Sequence, residues 1–84
     1  MYQILKKQTL NANTKLMVID APHVARKAEP GQFIILRVSE DGERIPLTIA
    51  DFDRETGAVT IIFQEVGATT MALGLLNEGD CLHD

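Results

Sequence analysis

Turn-forming residues interrupt this chain about every ten to fifteen positions, a rhythm that suits short strands and leaves little room for long helices. The interruptions are Asn11-Ala12-Asn13, Pro30-Gly31, Glu40-Asp41-Gly42, Asp53-Arg54-Glu55-Thr56-Gly57 and Asn77-Glu78-Gly79. Between them lie apolar runs over Tyr2–Gln8, Lys15–Ala21, Phe33–Val38, Ile45–Ala50 and Ala58–Gln64, with a last strand starting at Asp80. In the fifth run, Val59, Ile61 and Phe63 alternate with Thr60, Ile62 and Gln64, the period of a half-buried strand. Pro46 cannot donate a ladder hydrogen bond, which puts it at an edge, a bulge or the start of its strand. Asp41-Gly42 signals a hairpin, because Gly42 can take positive φ without steric cost. Pro22 opens a short helical or irregular stretch to Ala28.

One helix stands out. Thr69 or Thr70 can cap it, Met71–Leu76 are mostly good helix formers, and Asn77-Glu78-Gly79 ends it. Ala72, Leu73 and Leu76 share a face, and about two turns are too short to be stable alone, so this helix must plug something apolar. The expected fold is all-β: a six-stranded antiparallel Greek-key barrel with one short helix between strands 5 and 6, filling residues 1–84 as a single domain.

At 84 residues the core is thin; a chain this size buries roughly 60–65% of its unfolded surface. The net charge of −4 and the scattered lysines and arginines exclude nucleic acid as a partner, since phosphate demands a basic face. The longest apolar runs, such as Leu16–Ile19 and Phe33–Leu36, fall far short of the roughly 20 residues that span a membrane. Met1–Leu10 has no signal-peptide pattern, so a cytoplasmic location is expected. The single cysteine, Cys81, can neither close an intramolecular disulfide nor hold zinc or an iron–sulfur cluster, and reads as a small half-buried hydrophobe. His23 and His83 read as surface residues. No metal site and no nucleophile with a neighbouring base are visible, so no catalytic residue is expected.

Two segments are suited to an anion and a flat ring. In Arg44-Ile45-Pro46-Leu47-Thr48, an extended backbone puts the guanidinium and the hydroxyl on one face. The plain alternative is an edge strand with a solvated arginine. In Gly67-Ala68-Thr69-Thr70, free N–H groups at a helix start meet threonine hydroxyls. Here the plain alternative is a capped helix after a glycine turn. A barrel that brought the two segments side by side could hold one diphosphate between them.

These segments, with Pro30-Gly31-Gln32-Phe33, Ile49-Ala50-Asp51, Val66, Leu73 and Glu78-Gly79-Asp80, resemble the ferredoxin–NADP reductase superfamily along essentially the whole chain. The similarity is greatest to flavoprotein subunits of the dihydroorotate dehydrogenase electron-transfer type and the ferredoxin–NADP reductase alpha-subunit type. The resemblance implies FAD as cofactor. Arg44 would bind the diphosphate, Pro46 and Leu47 would shape the isoalloxazine pocket, and Thr48 would face the flavin N5 edge. Ile62, Phe63 and Gln64 would line the flavin or its ribityl chain, while Gly67, Thr69 and Thr70 would meet the diphosphate. Ala50 and Asp51 would approach the adenosine end.

The resemblance further implies a parent protein that uses a nicotinamide nucleotide and a partner redox subunit. The nucleotide-binding domain and the cysteine cluster for a 2Fe–2S centre have no counterpart in these residues, so the chain is not expected to turn over alone. A weak homodimer through a groove around Leu47 and Phe63, competing with FAD, is a further expectation. The rival function is a cofactor-free barrel used as a protein-interaction module. Barrels like those of translation factors or riboflavin synthase would need a more basic face or an internal duplication, and neither is present.

Overall fold

The computed structural model describes residues 1–84. Six strands run β1 (Tyr2–Asn11), β2 (Thr14–Asp20), β3 (Phe33–Leu36), β4 (Ile45–Asp53), β5 (Ala58–Gln64) and β6 (Cys81–Leu82), with helices α1 (Pro22–Lys27) and α2 (Ala68–Leu75). All neighbours are antiparallel, in the order β3-β4-β5-β2-β1-β6. Strand β5 therefore pairs with β2, outside the β3–β4 hairpin, as a Greek key requires. The sheet curls until its edges meet at one bridge, where Arg37 N–H donates to the His83 carbonyl at 2.7 Å and His83 N–H returns a bond to Arg37 at 2.9 Å. The Arg37 guanidinium reinforces this seam by donating to the carbonyls of Glu40 (2.6 Å) and Asp84 (2.9 Å).

The core follows the alternation seen in sequence. Met17 and Ile19 of β2 face Ile61 and Val59 of β5, all fully buried, because their registers set odd-numbered positions inward on both strands. Ile4, Ile34, Leu36, Ile49, Phe63, Leu73 and Leu82 join them, so every strand and α2 contribute to the cluster. Helix α1 turns the doubtful stretch after Pro22 into helix. Proline at its first turn loses no hydrogen bond, Arg26 and Lys27 suit its C-terminal end, and Ala21, Ala25 and Ala28 bury its small face.

Three details depart from expectation. Strand β3 stops at Leu36 because Arg37 leaves β4 to make the seam. The Asp41-Gly42 segment is no tight hairpin turn: positive φ occurs at Gly31, Gly57 and Gly79 but not at Gly42, whose N–H instead closes a loop onto the Ser39 carbonyl at 2.9 Å. Cys81 is exposed rather than half-buried, since the short strand β6 turns its neighbour Leu82 inward. Gly57 shows why one turn glycine is obligatory. Its φ is +81°, its carbonyl accepts the Ala21 N–H at 2.9 Å, and a Cβ there would stand 2.8 Å from the Pro22 Cβ.

Candidate functional site

The outer face of the β3–β4–β5 sheet gathers most of the residues singled out in sequence. The β3–β4 register sets Phe33 opposite Thr48, Ile35 opposite Pro46 and Leu36 opposite Ile45. Phe33, Ile35, Pro46 and Thr48 all face outward, while Leu36 is buried and Ile45 half-buried. Arg44 is exposed two residues before Pro46 and continues that outward row. Ile49 pairs with Ile61, so Thr48 and Ile62, one step along each strand, share the outer face. Pro46 lies in the part of β4 that pairs only with β3, since pairing with β5 begins at Ile49; its missing N–H costs that side nothing.

Alternation also corrects the sequence reading. Phe63 is 4% exposed and belongs to the core, so its side chain cannot line an outer groove; Ile62 and Gln64 on either side of it point out. Leu47 likewise packs against the core from the inner face. A dimer groove around Leu47 and Phe63 therefore has no basis. The exposed apolar side chains on this face are Phe33, Ile35 and Ile62.

Helix α2 closes one end of the face. Its first turn and the β3–β4 loop share a depression of about 230 Å³, lined by Gly42 and Glu43 on one side and Ala68 and Thr69 on the other. Arg44 is the next residue in sequence, and its side chain lines the larger cavity beside β3 rather than this depression. Glu43 adds an exposed carboxylate to the same depression.

The helix is capped differently from expectation. The cap is Gly67, and Thr70 in the first turn reaches back: its Oγ1 accepts the N–H groups of Val66 (3.1 Å) and Gly67 (3.0 Å) and donates to the Gly67 carbonyl (3.1 Å). Thr70 thus holds the turn and has no hydroxyl proton left over. The N–H groups of Ala68, Thr69 and Thr70 have no protein acceptor, and neither the Thr69 hydroxyl nor the Arg44 guanidinium makes a protein hydrogen bond.

Farther along α2, Glu65 pairs with Lys15 at 2.8 Å, both side chains mostly buried, and its carboxylate lies against Gly74 where any Cβ would collide. That close approach fixes how α2 sits on the barrel. Gly67 is the opposite case. Its φ of −142° suits any residue, and a Cβ there would meet nothing within 4 Å.

A larger cavity of about 560 Å³ lies beside β3, with Phe33, Ile35 and Arg44 on one wall and His23, Val24 and Lys27 of α1 on the other. Tyr2 also lines it; burial, and then the negative charge of Asp84, push its phenol above the usual range and hold it neutral. No group of His, Cys, Asp and Glu could hold a metal ion. No helix is long and apolar enough to cross a membrane.

No family model matches the chain. A protein of Clostridium beijerinckii described only as uncharacterized, from the adh 3' region, is 56% identical over all 84 residues. A dihydroorotate dehydrogenase B (NAD(+)) electron transfer subunit homolog of Thermotoga maritima is 42% identical over 98% of the chain. The chain spans only 28% and 29% of these two relatives. Among solved structures, an NADH-dependent reduced ferredoxin–NADP oxidoreductase, determined in work on flavin-based electron bifurcation, has a chain that superposes over all of this one with a TM-score of 0.96 at 40% identity, the match covering 30% of that chain. A siderophore-interacting protein from Acinetobacter baumannii shares the fold, with a TM-score of 0.71 at 19% identity over 94% of this chain. Sequence and fold agree: over essentially its whole length this chain is similar to the electron transfer subunits of dihydroorotate dehydrogenase B and has the β-barrel fold seen in the ferredoxin–NADP oxidoreductase chain.

Proposed function

We propose that this chain is the FAD-holding barrel of an NAD(P)H-linked electron-transfer flavoprotein that works beside a partner redox subunit. The observation that carries the proposal is a set of donors the fold itself leaves unused. The Arg44 guanidinium, the Thr69 hydroxyl and three N–H groups of α2 have no protein partner; Ala68 and Thr69 share a depression with Glu43, the residue before Arg44, and a Cβ at Gly67 would meet nothing within 4 Å. A glycine that neither backbone strain nor packing demands is explained by something that must approach its backbone closely. A diphosphate fits that donor set: the guanidinium offers paired donors, and the helix start offers N–H groups and a favourable dipole.

Bound FAD would supply reversible electron and hydride transfer at its isoalloxazine ring. The residues divide the remaining work. Arg44, Thr69 and the α2 N–H groups hold the diphosphate, and Thr70 keeps the turn before them in shape. Thr48 offers a hydroxyl to the ring's polar edge, and Pro46, Ile35 and Ile62 exclude water from its apolar part.

The test is a comparison of FAD with riboflavin, which lacks the phosphates, on the 84-residue chain. FAD is expected to bind at least tenfold more tightly, the effect of about one charge-assisted hydrogen bond. Gly67→Val should abolish most of that preference at a cost of only about 1 kcal/mol in stability, because a Cβ there meets no protein atom within 4 Å and the remaining penalty is that of valine at a helix cap. Equal binding of the two ligands, or none, would refute the proposal and leave the barrel as a docking module.

A further inference from the structure

The chain has four aromatic side chains, and three are occupied by the fold. Phe63 is buried in the core, and Tyr2 and Phe52 pack half-buried against it. Phe33 is different. It is 61% exposed on β3, outside both the core cluster and the residues packed on it. A phenyl ring that far into water gives up most of the stabilisation its burial would bring. Alternation forces it outward, since Ile34 and Leu36 take the inner positions of the same short strand.

Its surroundings are those of a ligand rather than of a stray surface residue. The register puts it directly opposite Thr48, the hydroxyl assigned above to the polar edge of the ring. It also shares the wall of the 560 Å³ cavity with Arg44. Leu47 faces inward, and Pro46 has no aromatic face, so neither residue read from the sequence as shaping the isoalloxazine pocket can stack on it.

We infer that Phe33 supplies the flat surface on which the isoalloxazine lies, an inference that rests on the FAD reading above. Ile35, two residues on along the same outer edge, extends that surface toward Pro46. Stacking orients the ring so that its polar edge meets Thr48 while its phosphate end runs toward Arg44.

Riboflavin is the probe, because it has neither the adenine that quenches FAD internally nor the phosphates that bind elsewhere. An indole in van der Waals contact with an isoalloxazine quenches its emission, whereas a phenyl ring does so poorly. Phe33→Trp is therefore expected to bind riboflavin and dim the bound emission by about half or more relative to the parent chain. Phe33→Ala should raise the riboflavin Kd roughly five- to tenfold, and Phe33→Tyr should stay within about twofold of the parent. A tryptophan at Met71, exposed on α2 beside Asn13, serves as the control and should leave the emission unchanged. Bound riboflavin as bright in Phe33→Trp as in the parent, or unaltered affinity in Phe33→Ala, overturns the role of Phe33 alone. A parent chain that binds FAD but no riboflavin overturns the stacking inference and leaves the FAD reading standing; one that binds neither overturns both.

Discussion

Arg44→Ala should weaken FAD binding by about 1.5–3 kcal/mol, roughly ten- to 150-fold, while leaving riboflavin affinity where it was. The guanidinium is exposed, makes no protein hydrogen bond and lines the cavity beside β3, so nothing in the fold depends on it. Thermal stability should stay within about 0.5 kcal/mol of the parent, as for surface substitutions generally. Arg44→Lys should recover only part of the affinity, because an ammonium brings the charge but not the paired geometry. Calorimetric titration with FAD and riboflavin reads all of this. Equal loss for both ligands would move Arg44 from the phosphates to the ring, and no loss would take it out of the site.

Leu73→Ala should be the most damaging single change to the fold. Leu73 is fully buried and is the side chain by which α2 reaches the core. Truncations of this kind cost about 2–5 kcal/mol. A domain of this length carries roughly 4–13 kcal/mol in all. The urea midpoint should therefore fall by roughly a third, taking mid-range values, with an unchanged slope. Loosening α2 also disorders the N–H groups of its first turn, so on the proposed reading FAD affinity should fall with stability. The substitution isolates that link, since Leu73 itself faces away from the site. A midpoint within error of the parent would mean that the helix is held by its Lys15–Glu65 strut and not by the core.

Much of this was readable from residues alone. Alternation in β5 and the apolar block in β2 specified which side chains fill the centre, and Gly57 and Pro30-Gly31 placed their turns. What alternation says about one strand, however, does not say which face a ligand uses. Phe63 looked like a lining residue because it stands near the end of β5, yet its parity is that of Val59 and Ile61 and sends it inward. Phe33 was passed over because an aromatic in a β-rich run reads as core until the register with β4 is known. The Thr70 hydroxyl is a related case, engaged within the turn it caps. A hydroxyl at a helix start suits a ligand or a cap equally well, and only distances separate the two. The seam lies beyond any local pattern, because Arg37 and His83 are far apart in the chain.

That seam makes the barrel a ring fastened by a single clasp. Elsewhere adjacent strands share longer ladders, but here one pair of backbone bonds and one arginine side chain hold the circle shut. Thermal opening takes the least work at the clasp, and the β3–β4 hairpin would then swing as a flap hinged on the β4–β5 ladder. Arg44, Thr48 and Phe33 ride on that flap, whereas the α2 N-terminus stays with the body. On the proposed reading, an anion gripped by both would act as a second fastener across the gap. It would tighten a joint it never touches, and the clasp in turn would set how far apart the two jaws stand when the anion arrives.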